Sequence, residues 1–165
     1  MLIENYSSPA GEIILCAHEG ALRGLWFRGQ KYEMRGVDSG LPETAGNAAV
    51  LDKARRWLNV YFAGGEPTLD FPLDPQGTAF QKQVWMELLS IPYRHTVSYG
   101  ELAARIGCKS ARAVGSAIGK NPISLIIPCH RVLGADGRLT GYAGGVERKI
   151  YLLDLEQGKC EYEAK

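Results

Sequence analysis

Cysteine is scarce in this chain, and its placement excludes the usual metal modules. The four residues Cys16, Cys108, Cys129 and Cys160 form no C-x-x-C pair and share no zinc-ligand spacing. Free thiols in a reducing, cytoplasmic setting are therefore expected. Histidine is scarcer still: His18, His95 and His130. No apolar window approaches eighteen residues, so no membrane-spanning helix is expected. The opening stretch, MLIENYSSPAGEIILCAHEG, lacks a basic segment and a long apolar core, and does not read as a signal peptide. Repeats and low-complexity tracts are absent. The net charge is +1 over 165 residues, so the overall balance points to no partner.

What is present suits a globular chain. Hydrophobic residues make up 45% and charged residues 22%. GEIILCAHEG and ALRGLWFRG are short apolar runs split by a Glu-Gly turn, which predicts a β-hairpin. Residues 31–47 are polar and read as a loop. AAVLDKARRWLNVYFAGG then sets Val50, Ala54, Trp57 and Tyr61 at helical spacing, beside Leu51, Leu58 and Phe62, and stops at Gly64-Gly65. EPTLDFPLDPQGT carries three prolines and reads as a linker, so a small strand-plus-helix domain ends near Pro72.

The second part reads as helical. Phe80, Val84 and Leu88 recur at i, i+4 behind a candidate cap at Thr78, and Pro92 closes the segment. SYGELAARIG opens on a capping box, Ser98 with Glu101, and ends at Gly107. KSARAVGSAIGKNP follows after a very short turn, so the pair reads as a helix-turn-helix. The second of these helices is nearly all small: Ala111, Ala113, Gly115, Ser116, Ala117 and Gly119 surround one long residue, Arg112. Two explanations fit. Small residues allow close helix–helix packing; they also make a helix thin enough to press on a widened minor groove. Residues 94–138 hold seven basic side chains (Arg94, Arg105, Lys109, Arg112, Lys120, Arg131, Arg138) against Glu101 and Asp136, a local basic surface suited to a polyanion.

SLIIPCHRVLGADGRLTGYAGG predicts a strand ending at Cys129, then a wing over 131–142 turned at Asp136-Gly137. VERKIYLLDLEQGK predicts a last helix, with Glu156 on the face of Leu152 and Leu153. Cys129 and His130 put a nucleophile beside a base. A thiol attacks only as thiolate, with a free pKa of about 8.5. Neighbours on an extended strand point to opposite faces, so Cys129 and His130 would not meet directly and a bridging water could carry the proton. A carboxylate behind the histidine would hold its tautomer, and Glu156 is the candidate. The plainer alternative is a buried small apolar Cys129 beside a satisfied His130.

PCHRV (128–132), preceded by Asn121-Pro122, by SARAVGSAIGKN and by VSYGELAA, resembles the O6-alkylguanine-DNA alkyltransferases, closely over residues 78–157. The resemblance implies an N-terminal ribonuclease-H-like α/β domain over 1–72, a linker at 73–77, and a C-terminal winged helix-turn-helix domain over 78–165. It implies a DNA-repair protein that flips O6-alkylguanine out of the duplex and moves the alkyl group irreversibly to Cys129. His130 and Glu156 are implied as the relay and Asn121 as the hinge of the active-site turn. Arg112 is implied as the finger filling the gap left by the flipped nucleotide, and Tyr99 as the residue pressing on the phosphate. Gly100, Lys109, Ala111 and Gly115 complete the implied DNA-facing set. Tyr142, the Val132 carbonyl and Ala143 are implied to contact the guanine. Ala143 stands where many members have serine, and Ser124 replaces a proline found in some. No cofactor or metal is implied, because the zinc ligands of some longer relatives are missing. The implied partner is alkylated double-stranded DNA, bound by a monomer that can cluster along it. Two other readings stay open: a non-catalytic alkylated-DNA-binding winged-helix protein, and a cysteine hydrolase relying on His18 or His95.

Overall fold

The computed structural model describes residues 1–38, 40–139 and 142–159. Three antiparallel strands, β1 (Leu2–Ser8), β2 (Gly11–His18) and β3 (Ala21–Phe27), form a sheet in the order β1-β2-β3. The predicted hairpin is β2–β3, turned at Glu19-Gly20. β1 was not foreseen: LIENYSS is half polar, and only its pairing to β2 makes it a strand. Every residue from Ile13 to His18 is buried, because both faces of β2 are covered. Ile13, Leu15 and Ala17 join the main core, while Ile14, Cys16 and Trp26 sit under Met1, Ile3, Met34 and Val37. A strand buried on both faces reads as a continuous apolar run, as this one does.

Helix α1 (Asn47–Phe62) lies against the sheet. Its buried stripe is Val50, Leu51, Ala54, Trp57, Leu58 and Tyr61, the spacing expected of a half-buried helix. The proline-bearing segment behind it is not a free tether. Phe71 is buried, Leu22 donates its N–H to Pro72 O (3.0 Å), and Asp74 N–H returns to Leu22 O (2.8 Å). The stretch read as a linker at 73–77 is thus tied to β3 at its start.

Helices α2 (Ala79–Leu88) and α3 (Tyr99–Arg105) both begin in complete capping boxes, Thr78 with Gln81 and Ser98 with Glu101. Gly107 takes the left-handed conformation (φ +69°) that lets the chain turn sharply into α4 (Ala111–Gly119), capped by Ser110. The Trp85 indole donates to Ala117 O (2.8 Å) and pins α2 to α4. A two-residue strand β4 (Val97–Ser98) pairs in parallel with β5 (Val132–Leu133), and α5 (Val146–Glu156) closes the described chain.

Two expectations fail here. Residues 121–128 are not a strand. Asn121 Oδ1 accepts the Ile123 N–H and its Nδ2 donates to Ile127 O, both at 2.9 Å, which folds the segment into a tight buried turn. Leu125 is held there at φ +70°, a region that non-glycine residues seldom occupy. Cys129–Arg131 then form one 3-10 turn. The apolar composition misled because a turn closed by its own asparagine can be as buried as a strand. The wing is also smaller than expected. Asp136-Gly137 does turn, with Gly134 N–H bonded to Arg138 O (2.8 Å), but β5 pairs with β4 and not across that turn. Thr140 and Gly141 of the expected wing, and residues 160–165 with Cys160, lie outside the described residues.

The turn docks on the sheet. Leu25 N–H donates to Pro122 O (2.8 Å) and Ser124 N–H to Leu25 O (2.9 Å). The outer edge of β3 is therefore occupied twice, by residues 72–74 and by 122–124, and no open edge is left there. Asn121→Ala would strand two buried backbone groups. At about 1–3 kcal/mol each, the expected loss is about 2–6 kcal/mol, lowering Tm by roughly 4–24 °C. A thermal melt checks this, and a shift below about 1 °C would show that the turn holds without Asn121.

Candidate active site and nucleic-acid surface

Glu156, at the last turn of α5, is 1% exposed and receives donors from four places in the chain. Oε2 accepts from His130 Nε2 (2.5 Å), Tyr61 Oη (2.7 Å) and Arg131 Nη2 (3.2 Å). Oε1 accepts from Arg131 Nε (2.9 Å) and the Arg94 backbone N–H (3.2 Å). Burial alone would raise its pKa, but His130 and Arg131 outweigh burial and hold it at about 2. The carboxylate is ionised at every physiological pH, with Arg131 as its permanent counter-charge.

That ionisation settles the histidine. An ionised carboxylate can only accept, so Nε2 carries the proton of the neutral ring and Nδ1 presents a lone pair. Burial lowers the His130 pKa despite the Glu156 bond, so the ring is neutral at rest. Nδ1 is buried and has no partner among the described residues. This leaves a proton acceptor one residue from Cys129.

Cys129 is 5% exposed at the start of the 3-10 turn. Burial raises its pKa to about 11, while a hydrogen bond from the Asn121 side chain, the Lys149 charge and nearby backbone N–H groups pull it down. The resting group is therefore the neutral thiol, and its proton must leave during attack. Asn121 holds both the turn and the sulfur. Lys149 is fully buried and donates from Nζ to Val132 O (2.6 Å). A carbonyl has two lone pairs, so the Lys149 bond alone does not exhaust Val132 O.

Tyr142 is buried beside this group, its hydroxyl unpartnered among the described residues. Burial, then the charge of an ionised Cys129, raise its pKa well above 10, so it remains a donor. Gly144 permits its position, since a Cβ there would lie 2.6 Å from the Tyr142 ring. Tyr142 and Ala143 share a cavity of about 350 Å³ with Gly115, Ser116 and Gly119 of α4 and with Lys31 and Tyr32. Residues expected to contact substrate and DNA thus meet at one mouth. A larger opening of about 600 Å³ near Pro9 and the start of α5 contains none of the residues around Cys129. Ser124 lies elsewhere, buried, with its hydroxyl on Gln30 Oε1 (3.3 Å).

On α4, the buried residues are Val114, Ala117 and Ile118; Ala111, Arg112 and Ser116 are exposed and Gly115 and Gly119 half-buried. The small residues recur at i, i+4 and i+8 on the outer face. A Cβ at Gly119 would meet nothing within 4 Å, and one at Gly115 only Tyr99 at 3.7 Å. Packing inside the protein therefore does not require glycine at either position. Gly100 and Lys109 are exposed on the same helix pair, and Tyr99 is half-buried at the start of α3. Arg131 leaves the expected basic surface, because it is buried against Glu156. Charge counting could not separate it from the six basic residues that remain outside.

Four contributors had no motif to reveal them: Tyr61, Arg131 as a buried partner, Lys149, and the Lys31-Tyr32 pair. The Tyr32 ring lies 5.1 Å from Lys31 Nζ and 5.9 Å from both the Arg35 guanidinium and Lys120 Nζ, a cationic cluster at the cavity mouth. The helical stripe exposed Tyr61 as a core residue, and nothing in the sequence distinguished its hydroxyl from a packing ring.

Comparison with known proteins agrees with this arrangement. Residues 1–75 match the ribonuclease-like domain of 6-O-methylguanine DNA methyltransferase, and residues 79–158 match its DNA-binding domain. A methylated-DNA–protein-cysteine methyltransferase of Mycobacterium tuberculosis is 46% identical over 154 residues, covering 93% of this chain and 90% of the relative. One from Methanosarcina acetivorans is 46% identical over 156 residues, covering 94% and 97%. The crystal structure of Mycobacterium tuberculosis OGT in complex with DNA superposes with a TM-score of 0.84 at 42% identity, over 98% of this chain and 96% of that one. With both halves matched and relatives this similar over nearly their whole length, the chain belongs to the 6-O-methylguanine DNA methyltransferase family.

Proposed function

We propose that this chain is a methylated-DNA–protein-cysteine methyltransferase that repairs O6-alkylguanine by moving the alkyl group to Cys129. The observation that carries the residue assignment is the buried thiol beside a histidine whose free Nδ1 is aimed by an ionised Glu156. The reading places two functional halves in one chain, joined at 73–77, and a cytoplasmic home that keeps Cys16, Cys108 and Cys129 as thiols.

An alkylated base inside a duplex is out of reach, and O6-alkylation weakens its pairing and makes extrusion cheaper. α4 sits in the minor groove with its small outer face against the DNA. Arg112 fills the space left by the flipped nucleotide, Tyr99 presses on the phosphate, and Gly100, Lys109, Ala111 and Gly115 line the contact. The base enters between Tyr142 and Ala143, with Val132 O accepting from its exocyclic amine. Sγ attacks the alkyl carbon in line with the C–O6 bond. The Sγ proton passes through a bridging water to His130 Nδ1, and Glu156 stabilises the transient imidazolium. The new S–C bond forms as C–O6 breaks and guanine takes the electron pair; the proton held on His130 then passes through water to the guanine anion, which leaves the ring neutral. The product thioether is stable, so each molecule acts once.

A hydrolase would need a remote histidine in place of His130. His18 is a buried β2 residue beside Glu19, and His95 is exposed with Nδ1 3.0 Å from Tyr93 O. A non-catalytic binder has no use for Cys129.

Intact-protein mass spectrometry with excess O6-methylguanine duplex should show one added methyl per chain, mapped to Cys129 by digestion. Cys129→Ser should gain none yet keep binding the duplex. Methyl on Cys16, Cys108 or Cys160 would defeat the assignment. Arg112→Ala should slow repair of duplex by roughly tenfold or more, since extrusion costs a few kcal/mol that the change leaves less supported. It should react with free O6-benzylguanine at near wild-type rates, because only the duplex requires extrusion. Equal losses on both substrates would place Arg112 in the pocket.

A further inference from the structure

The catalytic groups all come from the C-terminal half, yet one hydroxyl on Glu156 comes from α1. Tyr61 is fully buried, stacked on Trp57 (5.3 Å between centroids, 8° between planes) and edge-on to Phe62 (5.3 Å). These contacts fix the ring, and its hydroxyl reaches Oε2, the carboxylate oxygen that also holds His130 Nε2. The hydroxyl lies 3.4 Å from that nitrogen, and the two rings meet edge to face at 6.4 Å. Burial and the Glu156 charge both disfavour its ionisation, so it always donates.

We propose that Tyr61 is a positioning residue of the relay, through which the N-terminal half sets how strongly Glu156 draws on His130. This rests on the transfer mechanism above. Donors on one carboxylate oxygen share its charge, so the Tyr61, His130 and Arg131 Nη2 bonds to Oε2 each weaken the others. Charge held by the Tyr61 hydroxyl is withheld from the imidazole, which makes His130 a weaker base. The other groups facing the pair are Arg131 from the 3-10 turn, Lys149 on α5, Cys129, Tyr142, and Tyr93, whose ring lies 5.6 Å from the Arg131 guanidinium. Arg131 is a fixed cation, Lys149 donates to Val132 O, and Tyr93, whose ionisation burial and the Glu156 charge disfavour, is a neutral phenol against the Arg131 guanidinium. Among the described residues, Tyr61 is the neutral side-chain donor on Oε2 supplied by the sheet-and-helix half.

The test is the pH dependence of alkyl transfer from O6-benzylguanine in the full-length chain. His130 must be neutral to accept the proton, so the rate falls as pH drops through its pKa. Tyr61→Phe keeps the stacked ring and removes the donor. Its acid limb should move to higher pH by about half to one unit, the size of a lost hydrogen bond to a charged group, while the high-pH rate stays within about threefold and DNA affinity is unchanged. An acid limb that coincides with wild type, or moves lower, overturns the inference and leaves Tyr61 a packing residue. Should the Phe variant not fold, 3-fluorotyrosine placed at position 61 is a stronger donor and should move the limb to lower pH; no movement overturns the inference. If wild-type protein itself fails to label Cys129, the repair reading falls. A wild type that transfers, beside a Phe variant with an unshifted limb, sinks this inference alone.

Discussion

One buried carboxylate organises this molecule. Glu156 takes donors from α1, from the loop at Arg94, and from two successive residues of the 3-10 turn. An unpaired charge in that environment is prohibitive, and removing one partner of a buried pair costs about 3–5 kcal/mol. The carboxylate is tolerable only when all of these elements are in place, so assembling the fold and aiming His130 are the same event. Buried ion pairs give little net stability over apolar packing. Here the arrangement serves orientation: Arg131 keeps the charge on Glu156, and Glu156 keeps the proton on Nε2.

The second constraint is the outer edge of β3. Residues 72–74 and 122–124 both bond to it, so the sheet holds the turn that carries Asn121 and leads to Cys129. The N-terminal half thereby touches the site from three directions: through β3 under the turn, through Tyr61 behind the histidine, and through Lys31 and Tyr32 at the cavity mouth. Burial raises the Cys129 pKa to about 11, so little of the nucleophilic thiolate is present at rest. Reactivity then depends on a substrate seated where the proton can leave as the alkyl carbon is attacked, which suits a protein that is consumed by its own reaction.

Much of this was legible in the sequence. Helices announced themselves through caps and periodicity: Thr78, Ser98 and the Val50–Tyr61 stripe stand where the spacing places them. Cys129, His130 and Glu156 were legible through motif and helical face, and the small outer face of α4 around Arg112 through its run of small residues. The misses share a cause. SLIIPC is apolar enough for a strand, and only the two-ended bond of Asn121 turns it back on itself. Arg131 looks like any surface arginine until Glu156 is placed opposite it. Lys149 is indistinguishable from a solvated helix lysine, and Tyr61 from a packing aromatic. β1 has no apolar alternation of its own and exists because β2 pairs with it. Each of these depends on a partner far along the chain, which local composition does not encode.

The central claim, that a paired and ionised Glu156 holds the site together, is tested most directly by urea unfolding of wild type and Glu156→Gln across pH. In the folded chain the carboxyl pKa is lowered from 4.5 to about 2. A depressed acid stabilises the fold above its unfolded pKa, and that contribution is lost as pH falls from about 4.5 toward 2. The stability gap between wild type and Gln should be flat above pH 6 and narrow by about 2 kcal/mol between pH 6 and pH 3. A gap that stays constant down to pH 3 would mean that Glu156 carries no special ionisation in the folded state, and the account of the relay would fail with it.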